Sequence, residues 1–446
     1  MLRRCQRTNV QYVASKDYSI AIVKCVVMNG SPIGECIPVA GMRLPMRWYE
    51  WPLLAYFMIH FFPPVRGPWG TACLVLGAIG VLWECRRDGC RPVTDLNQPV
   101  VWCLALLGAL FAASLIQVPP ELLAESWKRF SSDFLKGCGF GLIIFLYLRD
   151  ETRARRVLMA GVFACAMIVG HLLWDSVRDF RANGQLPFQR DHLFWSMFFF
   201  PFALVVYLSS ARLRWVALAS AAGIFAAAVI FGFRGAIMTL MLMMLAFAML
   251  GGLWRLLGLG VGLAAAGLAA LSFWFPDRAG YAISKLQQFD SSNRVTGHWK
   301  PAWEMATDSP WQGHGYGHIV WQHHYRVQLD SHPAWTPSFV EGLGLTTTSP
   351  HSIFFETLFA AGWPGVIAYL SLMALVMVAL LPIIWRSRHS LRTSPWLLLA
   401  LAVLVAAIGN YAIFYQFESP NWRTLPIAVA IVAACHHALS GRARAD

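Results

Sequence analysis

The sequence predicts an all-α polytopic membrane protein that crosses the bilayer about twelve times. Three observations predict it. Hydrophobic residues make up 57% of the 446 and charged residues only 13%, with a mean hydropathy of +0.52; a soluble domain carries about 25% charged residues. Apolar runs near the length needed to cross a bilayer recur along most of the chain. The basic residues sit in short clusters between those runs rather than on one tract.

Twelve runs stand out, at about 48–63, 67–84, 99–117, 132–148, 154–174, 191–208, 213–231, 235–251, 253–275, 364–384, 395–413 and 422–439. The first is short and the sixth contains Pro201. Arginines follow every second run: Arg86, Arg87 and Arg91, then Arg149, Arg153, Arg155 and Arg156, then Arg212 and Arg214, Arg255, Arg386, Arg388 and Arg392, and finally Arg442 and Arg444. The positive-inside rule makes that side cytoplasmic, with both termini inside and the long loop after the ninth run outside. The chain then divides into an N-terminal extension at 1–45, expected to be poorly ordered, helices one to nine at 46–275, an outer loop at 276–352, and helices ten to twelve with a cytoplasmic tail at 353–446. The extension has no long apolar stretch, and Met42 or Met46 is expected to be the natural start; N-terminal sequencing that finds upstream residues would refute this.

The same pattern excludes several classes. A net charge of +13 spread over short loops is not the basic face of a nucleic-acid binder. Cys73, Cys103, Cys138, Cys165 and Cys435 lie in or beside apolar runs as small hydrophobes, and the loop from Pro276 to Pro350 holds none, so neither a disulfide framework nor a cysteine metal site is indicated. No internal repeat suggests an inverted-repeat transporter.

Candidate chemistry gathers at the outer face, where the rule predicts few arginines. Arg234 sits in GFRGA in a tight turn between two runs, flanked by Gly232 and Gly235, which let a ligand approach the backbone. A guanidinium fork matches phosphate oxygens, and Arg190 and Arg294 lie on the same side. Either an anionic ligand or lipid headgroups would satisfy such groups. In the loop, Trp299 and Trp303 are candidates to stack on sugar faces or to form an interfacial aromatic belt. A helix is expected over 296–307, followed by a break at Gly313, Gly315 and Gly317. That break separates His314 from His318, so their i,i+4 spacing does not read as a metal site, and no metal or cofactor is expected. His351 differs from the other loop histidines: it follows Pro350 and opens an apolar segment, where an imidazole can accept a hydroxyl proton. Glu356 either orients it or is a solvated helix residue.

These residues carry a resemblance. The RGA of GFRGA, the segment NRVTGHW, the turn SPWQGHGYG and the run PHS…FFETLFAAGWPG, in that order, resemble the bacterial O-antigen ligases within the O-antigen ligase and polymerase superfamily. The similarity runs from about residue 50 to 440, with its motifs between Gly232 and Tyr369. It implies a glycosyltransferase-C-like fold and a metal-independent, inverting transfer of a polysaccharide from undecaprenyl diphosphate to the lipid A–core oligosaccharide, at the periplasmic face of the inner membrane. Arg234 and Arg294 match the family's phosphate-binding arginines and His351 its catalytic histidine; Arg190 is added on position and charge alone. Phe233 stands where the family often has Ser, and Ser352 where it often has Asn. Those departures keep O-antigen polymerases and protein-directed oligosaccharyltransferases in view, with a polyprenyl-linked glycan transporter as the more distant alternative.

Overall fold

The computed structural model describes residues 46–60, 68–89, 96–183, 191–230, 234–252, 254–274, 276–277, 279–280, 283, 295–335, 350, 352–412 and 418–442, together with four two-residue segments. Those segments form two small antiparallel pairs, β1 (Val23–Lys24) with β2 (Ile37–Pro38) and β3 (Phe339–Val340) with β4 (Gly344–Leu345). The rest of the expected N-terminal extension lies outside the described residues.

All other regular structure among the described residues is helical. A helix lies in each of the twelve apolar runs: α1 (Glu50–Ile59), α2 (Pro68–Arg87), α3 (Pro99–Ser114), α5 (Lys136–Tyr147), α6 (Glu151–Asn183), α7 (Asp191–Ser209), α8 (Arg214–Ile230), α9 (Arg234–Gly251), α10 (Trp254–Trp274), α13 (Ile353–Arg386), α14 (Pro395–Ala407) and α15 (Glu418–Arg442). Three more, α4 (Pro120–Phe130), α11 (Lys300–Asp308) and α12 (His318–Leu329), lie between them. Six stretches among the described residues are long and apolar enough to cross a membrane: Pro68–Arg87, Pro99–Gln117, Pro120–Tyr147, Glu151–Ala182, Ile353–Arg386 and Trp422–Ser440. This is a multi-pass membrane protein.

Local sequence sets the helix starts. Proline occupies the first turn of α3, α4 and α14, where its missing N–H costs no helical bond. Ser394 adds a side-chain cap to α14, its Oγ accepting from Leu397 N at 3.4 Å. The sequence of α14, PWLLLALAVLVAA, is apolar all round, and every residue in it is buried. It forms the axis of the bundle, packed by α6, α7, α9, α13 and α15.

Exposed tryptophans mark two levels. Trp254 and Trp274, 57% and 67% exposed, sit at the two ends of α10, about 30 Å apart at 1.5 Å per residue. On α13, Trp363 and Trp385 lie about 33 Å apart with Ile367, Leu370 and Val378 exposed between them, a single helical stripe. Both separations match a hydrocarbon layer of about 30 Å with tryptophan at each boundary.

The arginine-rich end of the bundle is tied by charge. Glu84 of α2 receives Arg153 Nη2 at 2.6 Å, together with Arg47 and the Tyr49 hydroxyl. Glu50 of α1 pairs with Arg156, and Arg153 Nε lies 3.8 Å from it and 3.3 Å from Asp150. Glu50, Glu84 and Arg153 are all buried, so each ion stands against opposite charge.

Candidate active site

At the opposite end, the loop between α10 and α13 packs onto the start of α13. That helix begins at Ile353, eleven residues before the run expected at 364–384, and the reason is a repaired kink. Gly362 adopts φ 64° and ψ −163° inside the helix. Its break points the Trp363 N–H away from the ladder, and Pro364 has no N–H to give, so the carbonyls of Phe359 and Ala360 lose their helical donors. The glycine turn replaces them: His314 N donates to Phe359 O at 2.8 Å and Gly315 N to Ala360 O at 3.1 Å, while Trp363 N donates to Pro310 O at 2.8 Å. The turn can do this because Gly313, Gly315 and Gly317 take φ of 68°, 106° and 110°. A side chain at Gly313 would collide with the Ala360 carbonyl. Two stretches quoted for the resemblance, SPWQGHGYG and FFETLFAAGWPG, are thus one hydrogen-bonded unit.

Aromatic packing fixes this unit to the bundle. The Trp321 ring meets Phe359 edge-on at 5.1 Å, and His314 stacks on Phe359 at 5.1 Å. Tyr316 lies against Phe111 of α3 at 5.1 Å and Phe130 of α4 at 5.6 Å, and its carbonyl accepts from Ser126 Oγ. Gln117 Nε2 donates to Gln312 Oε1 at 2.8 Å. The expected short helix is present as α11, preceded by a π turn at Val295–Trp299. His314 and His318 do not share a helix: the His314 Nε2 lies 2.7 Å from Met305 O, and His318 begins α12.

Several buried polar groups here face one another without being consumed by the fold. Glu356 sits in the first turn of α13, behind the Ser352 cap, and is buried rather than solvated. The indole Nε1 of Trp422 faces its carboxyl from α15 as a hydrogen-bond donor short of full geometry, and among the described residues neither Oε2 nor that Nε1 has another partner. Beside them Arg423 pairs with Asp133 in the π turn Ser131–Leu135, its Nε 2.6 Å from Oδ1. His324 Nε2 is buried without a partner among the described residues, its ring 4.6 Å from that of His314. Burial first, then the imidazoles of His314 and His323, push its pKa down to about 4. Burial, and then Arg129, also lower that of His318 against the opposing Asp133 and Glu125. The His324 imidazole is thereby neutral near pH 7. Sequence reasoning passed over Asp133, Arg423 and Trp422; an acid and an arginine beside apolar runs were the available signal.

Of the expected site residues, Arg190, Arg294 and His351 lie outside the described residues. Arg234 is the first residue of α9, where backbone N–H groups are unpaid by the helix and attract anions. Trp299 stacks on Phe355 at 5.6 Å, with its Nε1 buried and without a partner among the described residues. Trp303 is 47% exposed, its ring edge-on to Trp363 at 5.9 Å.

Residues 197–370, from within α7 to the middle of α13, match the family model described as O-antigen ligase. The chain is also 27% identical over 309 residues to an O-antigen ligase of Salmonella typhimurium, covering 66% of this chain and 73% of that protein. Both findings bear out the resemblance to the O-antigen ligase family. The matched segment contains Arg234, Arg294 and His351 and leaves Arg190 outside.

Proposed function

We propose that this protein is an O-antigen ligase that moves a polysaccharide from undecaprenyl diphosphate to the lipid A–core oligosaccharide at the periplasmic face of the bacterial inner membrane. The observation that carries this is the continuous family match from α7 to α13, which encloses the start of α9, the glycine turn and the kinked helix. The proposed topology has twelve crossings and a glycosyltransferase-C-like architecture, with 276–352 as the catalytic loop.

In this reading Arg234 and Arg294, with Arg190 added on sequence position and charge alone, bind the diphosphate and stabilise the charge that grows on it as it leaves. The α9 N-terminus adds its backbone donors. His351 takes the proton of an acceptor sugar hydroxyl as its oxygen bonds to the anomeric carbon and the bond to diphosphate breaks, inverting that centre. The chemistry is assigned to side chains alone, without metal or cofactor. An apolar groove of about 540 Å³ between α3, α5 and α15, lined among others by Gly108, Ala112, Cys138, Gly141 and Ala430, has room for part of a polyprenyl chain.

The test is transfer by purified protein given undecaprenyl-diphosphate-linked O-antigen, lipid A–core and EDTA. Glycan on lipid A–core supports the ligase. Longer glycan on the carrier, with none on lipid A–core, assigns a polymerase instead, a reading kept open by Phe233 and Ser352.

A further inference from the structure

We infer that α11 and the turn after it lie in the interfacial layer of the membrane, with Trp303 and Trp311 seated among lipid headgroups. The partner is the phospholipid surface itself, and the inference does not depend on which reaction the site performs.

The argument starts from depth. The exposed stripe of α13 runs from Trp363 to Trp385, about 33 Å, so Trp363 stands at one edge of a hydrocarbon layer of about 30 Å. Trp385 marks the other edge, with the guanidinium of Arg388 over its ring at 5.3 Å, as expected on the arginine-rich side. The loop is fastened to the first edge. The Trp303 ring lies 5.9 Å from that of Trp363. Pro310, next to Trp311, accepts the Trp363 N–H at 2.8 Å. Both loop tryptophans are therefore within about one side-chain length of the boundary.

Their exposure points the same way. Trp311 is 71% exposed and Trp303 47%, although Ala302 beside Trp303 is fully buried and Pro310 beside Trp311 is partly so. On α11 the opposite face, Ala302, Met305 and Ala306, is buried, Ala306 lying against Leu358 and Val366 of α13. A helix with one face on the protein and a tryptophan on the other, at the level of a boundary tryptophan, has the form of an interfacial element. A water-facing sugar platform would have no reason to continue the lipid-facing stripe of α13.

The test places p-benzoylphenylalanine at 303, 311, 327, 363 or 385 of the full chain in nanodiscs of phosphatidylethanolamine and phosphatidylglycerol. Phospholipid adducts are then measured after illumination. Positions 303 and 311 should give adducts at the level of 363 and 385, about tenfold above position 327, where Val327 is exposed on α12. Adduct levels at 303 and 311 no higher than at 327 would overturn the inference, as would absence of adducts at 363. Added core oligosaccharide captured at 303 in place of phospholipid would overturn it in favour of a sugar platform. Should these variants fold poorly, Trp311→Phe in vesicles of headgroup-proximal brominated phosphatidylcholine must remove part of the quenchable tryptophan emission; an unchanged quenched fraction counts against the inference.

Discussion

The two ends of the bundle differ in how many buried polar atoms they leave without a partner: among the described residues one, the Tyr147 hydroxyl, at the arginine-rich end, against several at the loop end. At the arginine-rich end, Glu50, Glu84 and Arg153 are buried and each is matched by opposite charge. At the loop end, His324 Nε2, Trp299 Nε1 and Trp321 Nε1 are buried with no hydrogen-bond partner among the described residues, and Glu356 Oε2 and Trp422 Nε1 have at most each other. A buried charge left unpaired costs several kcal/mol, so the first end is arranged for stability. Unsatisfied groups are a stored cost that a fold keeps where something else depends on them. The difference teaches where to look for chemistry: at the end where the polar groups have not been used up by the fold.

The comparison can be broken. The largest effect should follow loss of the proposed base: His351→Ala is expected to lower transfer by about 10²–10⁴-fold while leaving the melting temperature of the detergent-solubilised protein in place. A variant that folds and transfers at the normal rate would remove His351 from the mechanism. At the other end the readouts should exchange. Arg153→Met takes one buried partner from Glu84, which keeps Arg47, and from Glu50, which keeps Arg156, and should lower stability by about 1.5–3 kcal/mol with transfer per folded molecule preserved. Thermal melting and single-turnover rates measured on one preparation decide this; a rate loss without a melting shift would contradict the assignment.

A smaller effect, and one that joins the two readouts, is expected at the kink. Gly313→Ala forces a side chain into a left-handed backbone and against the Ala360 carbonyl, at a cost of about 1–3 kcal/mol, and it should also slow transfer by unseating the turn. Gly89→Ala, at the arginine-rich end with φ 63° and open space around it, should carry the backbone strain alone. The smallest effect sharpens the comparison through pH. Because His324 titrates near 4 in the fold and near 6.5 when unfolded, the unfolded chain binds more protons between those values. Its contribution to stability is therefore whole above about pH 6.5 and is lost as pH falls towards 4. His324→Phe should flatten the melting temperature across that window; an unchanged slope would mean that other groups set it.

Much of this was legible in the chain. Helices stand in all twelve apolar runs because a run of that length and polarity has few other ways to satisfy its backbone in lipid. The glycines at 313, 315 and 317 announced a break before His318. What could not be read was the partner of that break. Gly362 and Pro364 look like the punctuation before a span, and only a turn some fifty residues earlier lets the helix begin at Ile353. Arg153 read as a loop charge, since nothing local shows that Glu50 and Glu84 come from distant helices to meet it. The same holds for Asp133 and Arg423, 290 residues apart. Local signals specify elements; pairings between elements depend on packing that periodicity does not encode.

The hand-over of carbonyls at Gly362 also sets an order of assembly. The turn at 309–317 leaves the ribosome before its acceptors at Phe359 and Ala360 exist, and Asp133 is made long before Arg423. Until α13 has been inserted, the turn has no ladder to complete, and until α15 follows, Asp133 has no counter-ion. The loop end is therefore the last part of the molecule to mature during biosynthesis, and a chain stalled before its final helix would reach the membrane with most of its spans and no finished loop end.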